Sequence, residues 1–223
     1  MNRIIELSHR IEDGMETYPG LPGPRIGDHM SREASRDRYP EGTEFQIGTV
    51  SLVANTGTYV DTPFHRYPDG PDLAAIDLAR LVDVPGLVID ATAHGRAIGP
   101  ELLSGTEVRG RAVLFRTGWD RRFGTTGYGA ADHPFLTADM VERLVKAGPA
   151  VVGIDSVNID DMADMTRPAH TGLLGEGIPI VEHLRGLDLL PARGFRFHAA
   201  PPAVAGMGSF PVRAYAVVDG PRS

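Results

Sequence analysis

The sequence of 223 residues contains no cysteine. Disulfides, thiolate metal sites and cysteine nucleophiles are therefore excluded, and a catalytic site must use histidines, carboxylates, hydroxyl groups or a metal ion. No apolar run approaches the roughly 18 residues of a membrane-spanning helix. Residues 1–10 alternate apolar and polar positions and include Glu6, which is unlike a secretory signal. We expect a cytoplasmic protein without membrane contact.

Basic residues are few as well. Lys and Arg number 22 against 29 Asp and Glu, which gives a net charge of −7, and they are scattered along the chain. A nucleic-acid partner is not expected, because binding to phosphates requires a basic surface. The motifs of serine hydrolases, P-loops and dinucleotide-binding folds are absent from the sequence. We expect the partner to be a small-molecule substrate.

Six short β-rich runs bounded by turn residues predict strands. They are 47–54, 86–91, 112–117, 150–154, 195–199 and 213–218. Between the third and fourth runs, the apolar residues of 137–147 fall on one helical face, with Thr137 as the cap. The runs on either side are apolar on both faces, as strands are when helices cover a sheet. We predict an α/β fold, one domain over 1–223, with a mixed sheet covered by helices.

Three glycine- and proline-rich segments, 12–40, 117–134 and 160–177, are predicted to be long loops. Loops of that length within a compact fold are usually functional. We therefore expect them to build the site.

The segment 55–65 reads Asn-Thr-Gly-Thr-Tyr-Val-Asp-Thr-Pro-Phe-His and is the most informative part of the chain. In an extended backbone, alternate residues share a face. That face would present Asn55, Tyr59, Asp61 and His65. Gly57 would allow a close approach, and Pro63 would end strand pairing. The alternative interpretation is a turn with a hydrogen bond to Asp61 and a solvent-exposed His65.

Further polar residues follow the predicted strand 150–154. The acidic segment 155–161 does not have the spacing of a calcium loop, and we expect most of it to be solvated, with Asp155 or Asn158 capping a turn. Downstream lie His170 and Glu182, and a carboxylate at the end of an apolar run needs a cation or hydrogen-bond donors. Taken singly, each is more often structural than catalytic.

Together, these segments resemble the cyclase family that includes bacterial kynurenine formamidase and isatin hydrolase. The family pattern His-x-Gly-Thr-His-x-Asp-x-Pro-x-His is approached by 55–65, where Asn55 and Tyr59 stand at two histidine positions. The likeness covers essentially the whole chain. The other matching segments are 17–20, 114–119, 133–134, 153–156, 170, 177–182, 199–201 and 208–213.

The resemblance implies a swivelling β/β/α fold and a homo-oligomer, either a dimer or a tetramer. It also implies arylformamidase-like hydrolysis of a C–N bond in a small aromatic or cyclic amide, of the kind found in tryptophan and kynurenine catabolism. The metal ligands that it implies are Asp61, His170 and Glu182. The matching places His65 on the residue that moves a proton beside the metal.

The remaining site residues also follow from the resemblance. Tyr18 falls on the aromatic residue that borders the substrate. Asn55 is expected on the substrate side, with a carbonyl oxygen that could contribute to the site. Tyr59, a poor ligand as a neutral phenol, is expected to donate a hydrogen bond to the developing oxyanion.

The two replaced histidines change the expected cofactor. The remaining carboxylates and histidines suit a harder ion such as Mn²⁺, or one ion where relatives hold two, so we expect one divalent ion, Zn or Mn. The alternative is a metal-free pocket that binds a small molecule without turnover. The retained carboxylates favour the metal, since Asp61 and Glu182 would otherwise place two negative charges together without compensation.

Overall fold

The computed structural model describes residues 3–218 and is built around a mixed sheet of nine strands. These strands are β1 (Arg3–Glu6), β4 (Tyr59–Asp61), β5 (Val84–Asp90), β7 (Ala112–Arg116), β9 (Val151–Ile154), β10 (Ile180–Glu182), β11 (Arg193–His198), β12 (Ser209–Pro211) and β13 (Tyr215–Val218). Two small sheets pair β2 (Arg25–Met30) with β3 (Ile47–Ser51) and β6 (Ala97–Ile98) with β8 (Phe135–Leu136). The helices are α1 (Arg32–Ser35), α2 (Ala138–Ala147) and α3 (Pro168–Gly175).

The large sheet has the strand order β1-β13-β11-β5-β7-β9-β10-β4-β12. Its four central strands, β5, β7, β9 and β10, run parallel. Antiparallel pairs extend it on both sides. The predicted α/β class and mixed sheet are confirmed, and the predicted runs for β5, β7, β9, β11 and β13 fall within two residues of the observed strands.

Both faces of the central strands are buried, as their uniformly apolar sequences predicted. In β7, Val113 and Phe115 belong to one core cluster, whereas Ala112 and Leu114 belong to the other. Residues of α2 and α3 contribute to the first cluster. The second cluster receives residues from the N-terminal strand and from turns, so helices cover one face of the sheet and irregular segments cover much of the other.

Helix α2 forms as predicted. The Thr137 side chain accepts a hydrogen bond from the Met140 N–H at 3.3 Å, and Gly148 ends the helix with a positive φ of 67°. The buried face comprises Met140, Val141 and Leu144. Within residues 3–218, no helix is long and apolar enough to cross a membrane.

Three local predictions were wrong. The predicted loop 12–40 contains β2 and α1, and β2 pairs with β3 in a largely exposed ribbon. The strand predicted over 47–54 begins at Ile47 as predicted but already ends at Ser51. The predicted loop 160–177 contains α3, which begins at Pro168. Its buried residues, Ala169, His170, Leu173 and Leu174, lie on one side of the helix, but this side includes a polar histidine, so the sequence lacks a clear one-sided apolar pattern.

Candidate metal centre and active site

Strand register brings two acidic side chains together on one face of the sheet. Strand β4 pairs on one side with β10, where Tyr59 lies opposite Glu182, and on the other side with β12, where Asp61 lies opposite Ser209. Directly opposite residues on paired strands share a face. The Tyr59 hydroxyl donates to Glu182 Oε2 at 2.6 Å, and the Ser209 hydroxyl donates to Asp61 Oδ1.

The third component of the site comes from α3. The Asp160 carboxylate accepts hydrogen bonds from the Ala169 N–H at 2.6 Å, from the His170 N–H at 3.1 Å and from His170 Nδ1 at 2.6 Å. Asp160 therefore caps the helix and fixes the imidazole, as a carboxylate behind a metal-binding histidine does. The other ring nitrogen, His170 Nε2, lies 3.6 Å from Asp61 Oδ2 and 3.7 Å from Glu182 Oε2.

His65 lies on a short 3₁₀ turn that follows β4. Its Nδ1 is 2.8 Å from the Ser209 hydroxyl and 3.7 Å from Asp61 Oδ1, and its side chain is 36% exposed. Asp61, His65 and His170 can each offer a ligand atom such that all three atoms lie within 4.8 Å of one another. His65, predicted to carry a proton, therefore also stands within reach of a metal ion.

The acids of the site are deeply buried, with exposures of 0% for Asp61 and 1% for Glu182. Burial alone would raise the pKa of Glu182, but the neighbouring His170 outweighs it, and the pKa is lowered to about 2. Burial likewise opposes a charged His170. The hydrogen bond to Asp160 and the nearby carboxylates of Asp61 and Glu182 nevertheless hold the pKa of His170 well above its usual value.

The donor atoms fit a divalent ion. Asp61 Oδ2 is buried and has no hydrogen-bond partner within residues 3–218. Ligand atoms that lie 2.0–2.2 Å from a common ion are about 3–4 Å apart, which matches the distances of 3.6 and 3.7 Å from His170 Nε2 to Asp61 Oδ2 and Glu182 Oε2. Carboxylate oxygens with one or two imidazole nitrogens suit either zinc or manganese.

A cavity of about 210 Å³ opens onto these groups. It is smaller than the roughly 300–1,000 Å³ of sites for drug-sized ligands, so a small substrate fits best. Six of the predicted site residues line it: Tyr18, Asn55, Tyr59, His65, His170 and Glu182. The seventh, Asp61, lies beside His65 and His170.

The local conformation predicted for 55–65 was wrong in part. The chain is not extended at Gly57, whose φ of 66° is left-handed, and an added Cβ there would lie 3.1 Å from Ile11 Cγ1. Strand β4 is short, and His65 belongs to the 3₁₀ turn. The expected end of pairing before Pro63 is confirmed. The alternative of a turn-forming Asp61 is excluded, because that residue is a fully buried strand residue.

The acidic segment after β9 also differs from its prediction. Residues 155–160 are buried rather than solvated. Capping does occur, since Asp155 accepts from the Thr117 N–H at 2.7 Å and Asn158 accepts from the Asp160 N–H at 2.9 Å. Asp160 and Ser209 were not predicted as site residues. In the sequence, the available indication for Asp160 was that a carboxylate lies upstream of Pro168, a residue type that can start a helix.

Comparison with known proteins identifies the family and agrees with this fold. The sequence matches the Cyclase family, described as "Putative cyclase", over residues 5–161. That match spans more than half of the chain, and the protein belongs to the cyclase family.

Particular relatives are similar over nearly their full length. Kynurenine formamidase of Bacillus cytotoxicus (strain DSM 22905 / CIP 110041 / 391-98 / NVH 391-98) is 29% identical over 216 residues, covering 94% of this chain and 95% of that protein. Kynurenine formamidase of Geobacillus thermodenitrificans (strain NG80-2) is 27% identical over 216 residues, covering 96% and 97%.

Solved structures share the fold. An isatin hydrolase bound to the product analogue thioisatinate has a TM-score of 0.84 at 24% identity, covering 98% of this chain and 93% of that one. Isatin hydrolase A from Ralstonia solanacearum has a TM-score of 0.83 at 24% identity, covering 98% and 92%. The predicted cyclase-like fold is thereby confirmed.

Proposed function

We propose that this protein is a metal-assisted, arylformamidase-like hydrolase of the C–N bond in a small aromatic or cyclic amide. The class of enzyme predicted from the sequence, a hydrolase of non-peptide C–N bonds, agrees with relatives named kynurenine formamidase. The observation that carries the proposal is the buried, unpartnered Asp61 Oδ2 at 3.6 Å from His170 Nε2, beside a small cavity.

Asp61, His170 and Glu182 would hold the ion. When bound, a divalent ion polarises a carbonyl group and lowers the pKa of water. His65 is partly exposed at the cavity, and the Ser209 hydroxyl holds one of its ring nitrogens. The other nitrogen can then take a proton from water and deliver it to the leaving amine.

The substrate would lie against Tyr18 and near Asn55, which both line the cavity. The role predicted for Tyr59, hydrogen bonding to the oxyanion, requires its hydroxyl group to change partner. Burial, and then the charges of Glu182 and Asp61, raise the pKa of Tyr59 well above its usual value, so the phenol keeps its proton. That proton is donated to Glu182 at 2.6 Å, so hydrogen bonding to an oxyanion would require the hydroxyl to rotate away.

The wider setting is part of the same proposal. We propose a cytoplasmic homo-oligomer, a dimer or tetramer, that acts in tryptophan or kynurenine-type catabolism. The relatives' name supports formylkynurenine as the first substrate to test. The cavity of about 210 Å³ suits a molecule of one aromatic ring and short substituents.

The decisive experiment measures metal content and turnover together. Protein purified without a metal-affinity tag is analysed for bound ions and assayed on formylkynurenine, formanilide and isatin. We expect about one ion per chain, with turnover lost on chelation and restored by Zn²⁺ or Mn²⁺. Full turnover without an ion would contradict the metal assignment, and absence of turnover on all three substrates would contradict the hydrolase proposal.

The His65→Ala variant tests the proton-carrying role. We expect it to retain the ion and to lose turnover by about 10²- to 10⁴-fold, the range for removal of a general acid or base. The control is His94→Ala, at an exposed histidine outside the cavity. Loss of the ion together with turnover would make His65 a ligand instead, and unchanged turnover would remove it from the mechanism.

The alternative function is a metal-free protein that binds a small molecule without turnover. One observation favours it: His170 lies within 3.7 Å of the carboxylates of Asp61, Asp160 and Glu182, so a positive imidazolium, consistent with its raised pKa, can offset these charges without an ion. A stable protein that contains no metal, binds aromatic amides and leaves them intact would establish this alternative.

A further inference from the structure

Two arginines line the cavity beside the predicted residues. Arg167 Nη1 is buried and has no hydrogen-bond partner in the part of the chain that the structure describes. Arg66 also lines the cavity, with its guanidinium carbon 5.5 Å from the ring centroid of the adjacent Tyr67. By contrast, Arg96 pairs with Asp161 at 2.9 Å. A buried guanidinium donor without an acceptor is unfavourable unless a ligand supplies one.

The backbone at Arg167 supports a ligand-binding role. Its φ of 49° and ψ of 62° are left-handed, an unfavourable conformation for a residue with a side chain, and the next residue is Pro168. The Arg167 side chain gives no cap to α3, so helix capping does not account for the arginine. Strained residues that the surrounding structure maintains occur preferentially at binding sites.

The chemistry of the cavity indicates what the arginines bind. The same space is bordered by Glu182 and His170 of the metal site and by the apolar surfaces of Tyr18 and Leu21. A ligand that fills it can place an amide at the ion, a ring on Tyr18 and an anionic group at Arg167. A planar guanidinium forms two parallel hydrogen bonds with a carboxylate, which makes a carboxylate the matching group.

We propose that Arg167, assisted by Arg66, binds a carboxylate of the substrate, so that the substrates are small aryl or cyclic amides that carry a carboxylate. This inference rests on the proposed function, because it assigns specificity to the same site. Arg167 contacts the substrate away from the scissile bond and acts in binding rather than in proton transfer.

The kinetic test compares formanilide, which is neutral, with the three isomers of formamidobenzoate. We expect the metal-loaded protein to prefer at least one isomer, and Arg167→Gln to lower kcat/KM for that isomer by about 10- to 100-fold more than for formanilide. Arg143→Gln, at an exposed position of α2 outside the cavity, is the matched charge control. Equal losses on both substrates, or a wild-type preference for formanilide, would overturn the proposal.

A binding measurement separates this proposal from the hydrolase assignment. Isothermal titration calorimetry with benzoate and benzamide is carried out on the protein as purified and after addition of Mn²⁺ or Zn²⁺. We expect Arg167→Gln to weaken benzoate binding at least about 10-fold more than benzamide binding. If no amide is hydrolysed, this result still decides the role of Arg167. Absence of benzoate binding to the wild type, or equal binding to the variant, would refute the role.

Protein folding is monitored by thermal melting for every variant. Should Arg167→Gln fail to fold, Arg167→Lys and Arg66→Gln provide the test. Arg167→Lys keeps the charge but loses the planar pair of donors, so we expect an intermediate loss of benzoate affinity. Wild-type affinity in both of these variants would overturn the proposal.

Discussion

The Asp160 carboxylate connects the formation of a helix to the orientation of a candidate metal ligand. It accepts from two backbone N–H groups at the start of α3 and from the ring of His170. Because Asp160 both caps α3 and binds the His170 ring, formation of the helix also orients His170 Nε2 toward Asp61 and Glu182. The orientation of the imidazole ring is therefore fixed before any ligand binds. The loss of side-chain entropy that this requires has already occurred during folding.

The family resemblance predicted Asp61, His170 and Glu182 as metal ligands, and the structure places Asp61 and Glu182 within 3.7 Å of His170. Their role as ligands stays a prediction. Residue types and motif spacing were the basis of that prediction. They were insufficient for Asp160 and Ser209. Both of these act through contacts that depend on tertiary structure: Ser209 through the register of β12 on β4, and Asp160 through the position of α3. An acidic run such as 155–161 suggests exposure, and only the packed fold shows that residues 155–160 are buried.

Asp155 provides a prediction on pH dependence. Burial raises its pKa from 3.8 to about 6, and this outweighs the hydrogen bonds donated by Thr117 and Gly118. Since the folded protein holds this proton more tightly than the unfolded chain, the contribution of Asp155 to the free energy of unfolding should fall as pH rises from 3.8 to about 6. For a fully buried group the loss is at most about 3 kcal/mol.

Urea denaturation of the wild type and of Asp155→Asn between pH 4 and 7.5 measures the effect. The stability advantage of the wild type over the variant should shrink with rising pH and then stay constant. Asp37→Asn, at an exposed residue, is the matched control. A constant difference between the wild type and Asp155→Asn would contradict the raised pKa.

Among the elements, the buried parallel strands were the most predictable. A strand covered on both faces needs apolar residues at every position, and β7 and β9 display this directly in sequence. In the β2–β3 ribbon, the start of β3 at Ile47 was predicted, but β2 was missed because its residues are mostly exposed and lack alternation. Helix α3 was missed because it is held by burial and by Asp160 rather than by a one-sided apolar pattern.

The close contact between the turn carrying His65 and the segment before β12 leads to a prediction at the element scale. A Cβ added to Gly208 would lie 2.3 Å from the His65 backbone nitrogen and 2.4 Å from its Cα. Backbone atoms cannot yield as a flexible side chain can, so Gly208→Ala must separate the two segments. It would thereby disturb the contacts of Ser209 with His65 and Asp61.

We expect Gly208→Ala to lower the free energy of unfolding by about 1–3 kcal/mol, the usual cost of overpacking, and to reduce turnover and metal affinity together. Gly95→Ala is the control, because an added Cβ there meets no atom within 4 Å. Denaturant titration and metal titration of both variants provide the measurements. A Gly208→Ala protein with wild-type stability and metal affinity would show that the contact is not required.

At the scale of the whole molecule, the site joins parts of the sequence that are far apart. Asp61 comes from the first third of the chain, His170 and Glu182 from its last third, and they meet because β4 inserts between β10 and β12. Unfolding separates these groups. An ion held by all three therefore binds the folded protein far more tightly than the unfolded chain, and it must raise the melting temperature.

The last prediction concerns the rise in melting temperature on ion binding. At an ion concentration about 100 times the dissociation constant, the stabilisation is about 2.7 kcal/mol, and a chain of this size gains about 2–4 °C per kcal/mol. Differential scanning calorimetry in chelator and in Zn²⁺ or Mn²⁺ should thus give melting temperatures about 5–10 °C apart. Glu182→Gln keeps an acceptor for the Tyr59 hydroxyl but removes the charge of the ligand, so the metal-dependent rise in its melting temperature should largely disappear. The control Glu12→Gln, at an exposed residue, should keep the full rise. Equal melting temperatures of the wild type in chelator and in metal would contradict the three-residue ion site, and so would an undiminished shift in a folded Glu182→Gln protein.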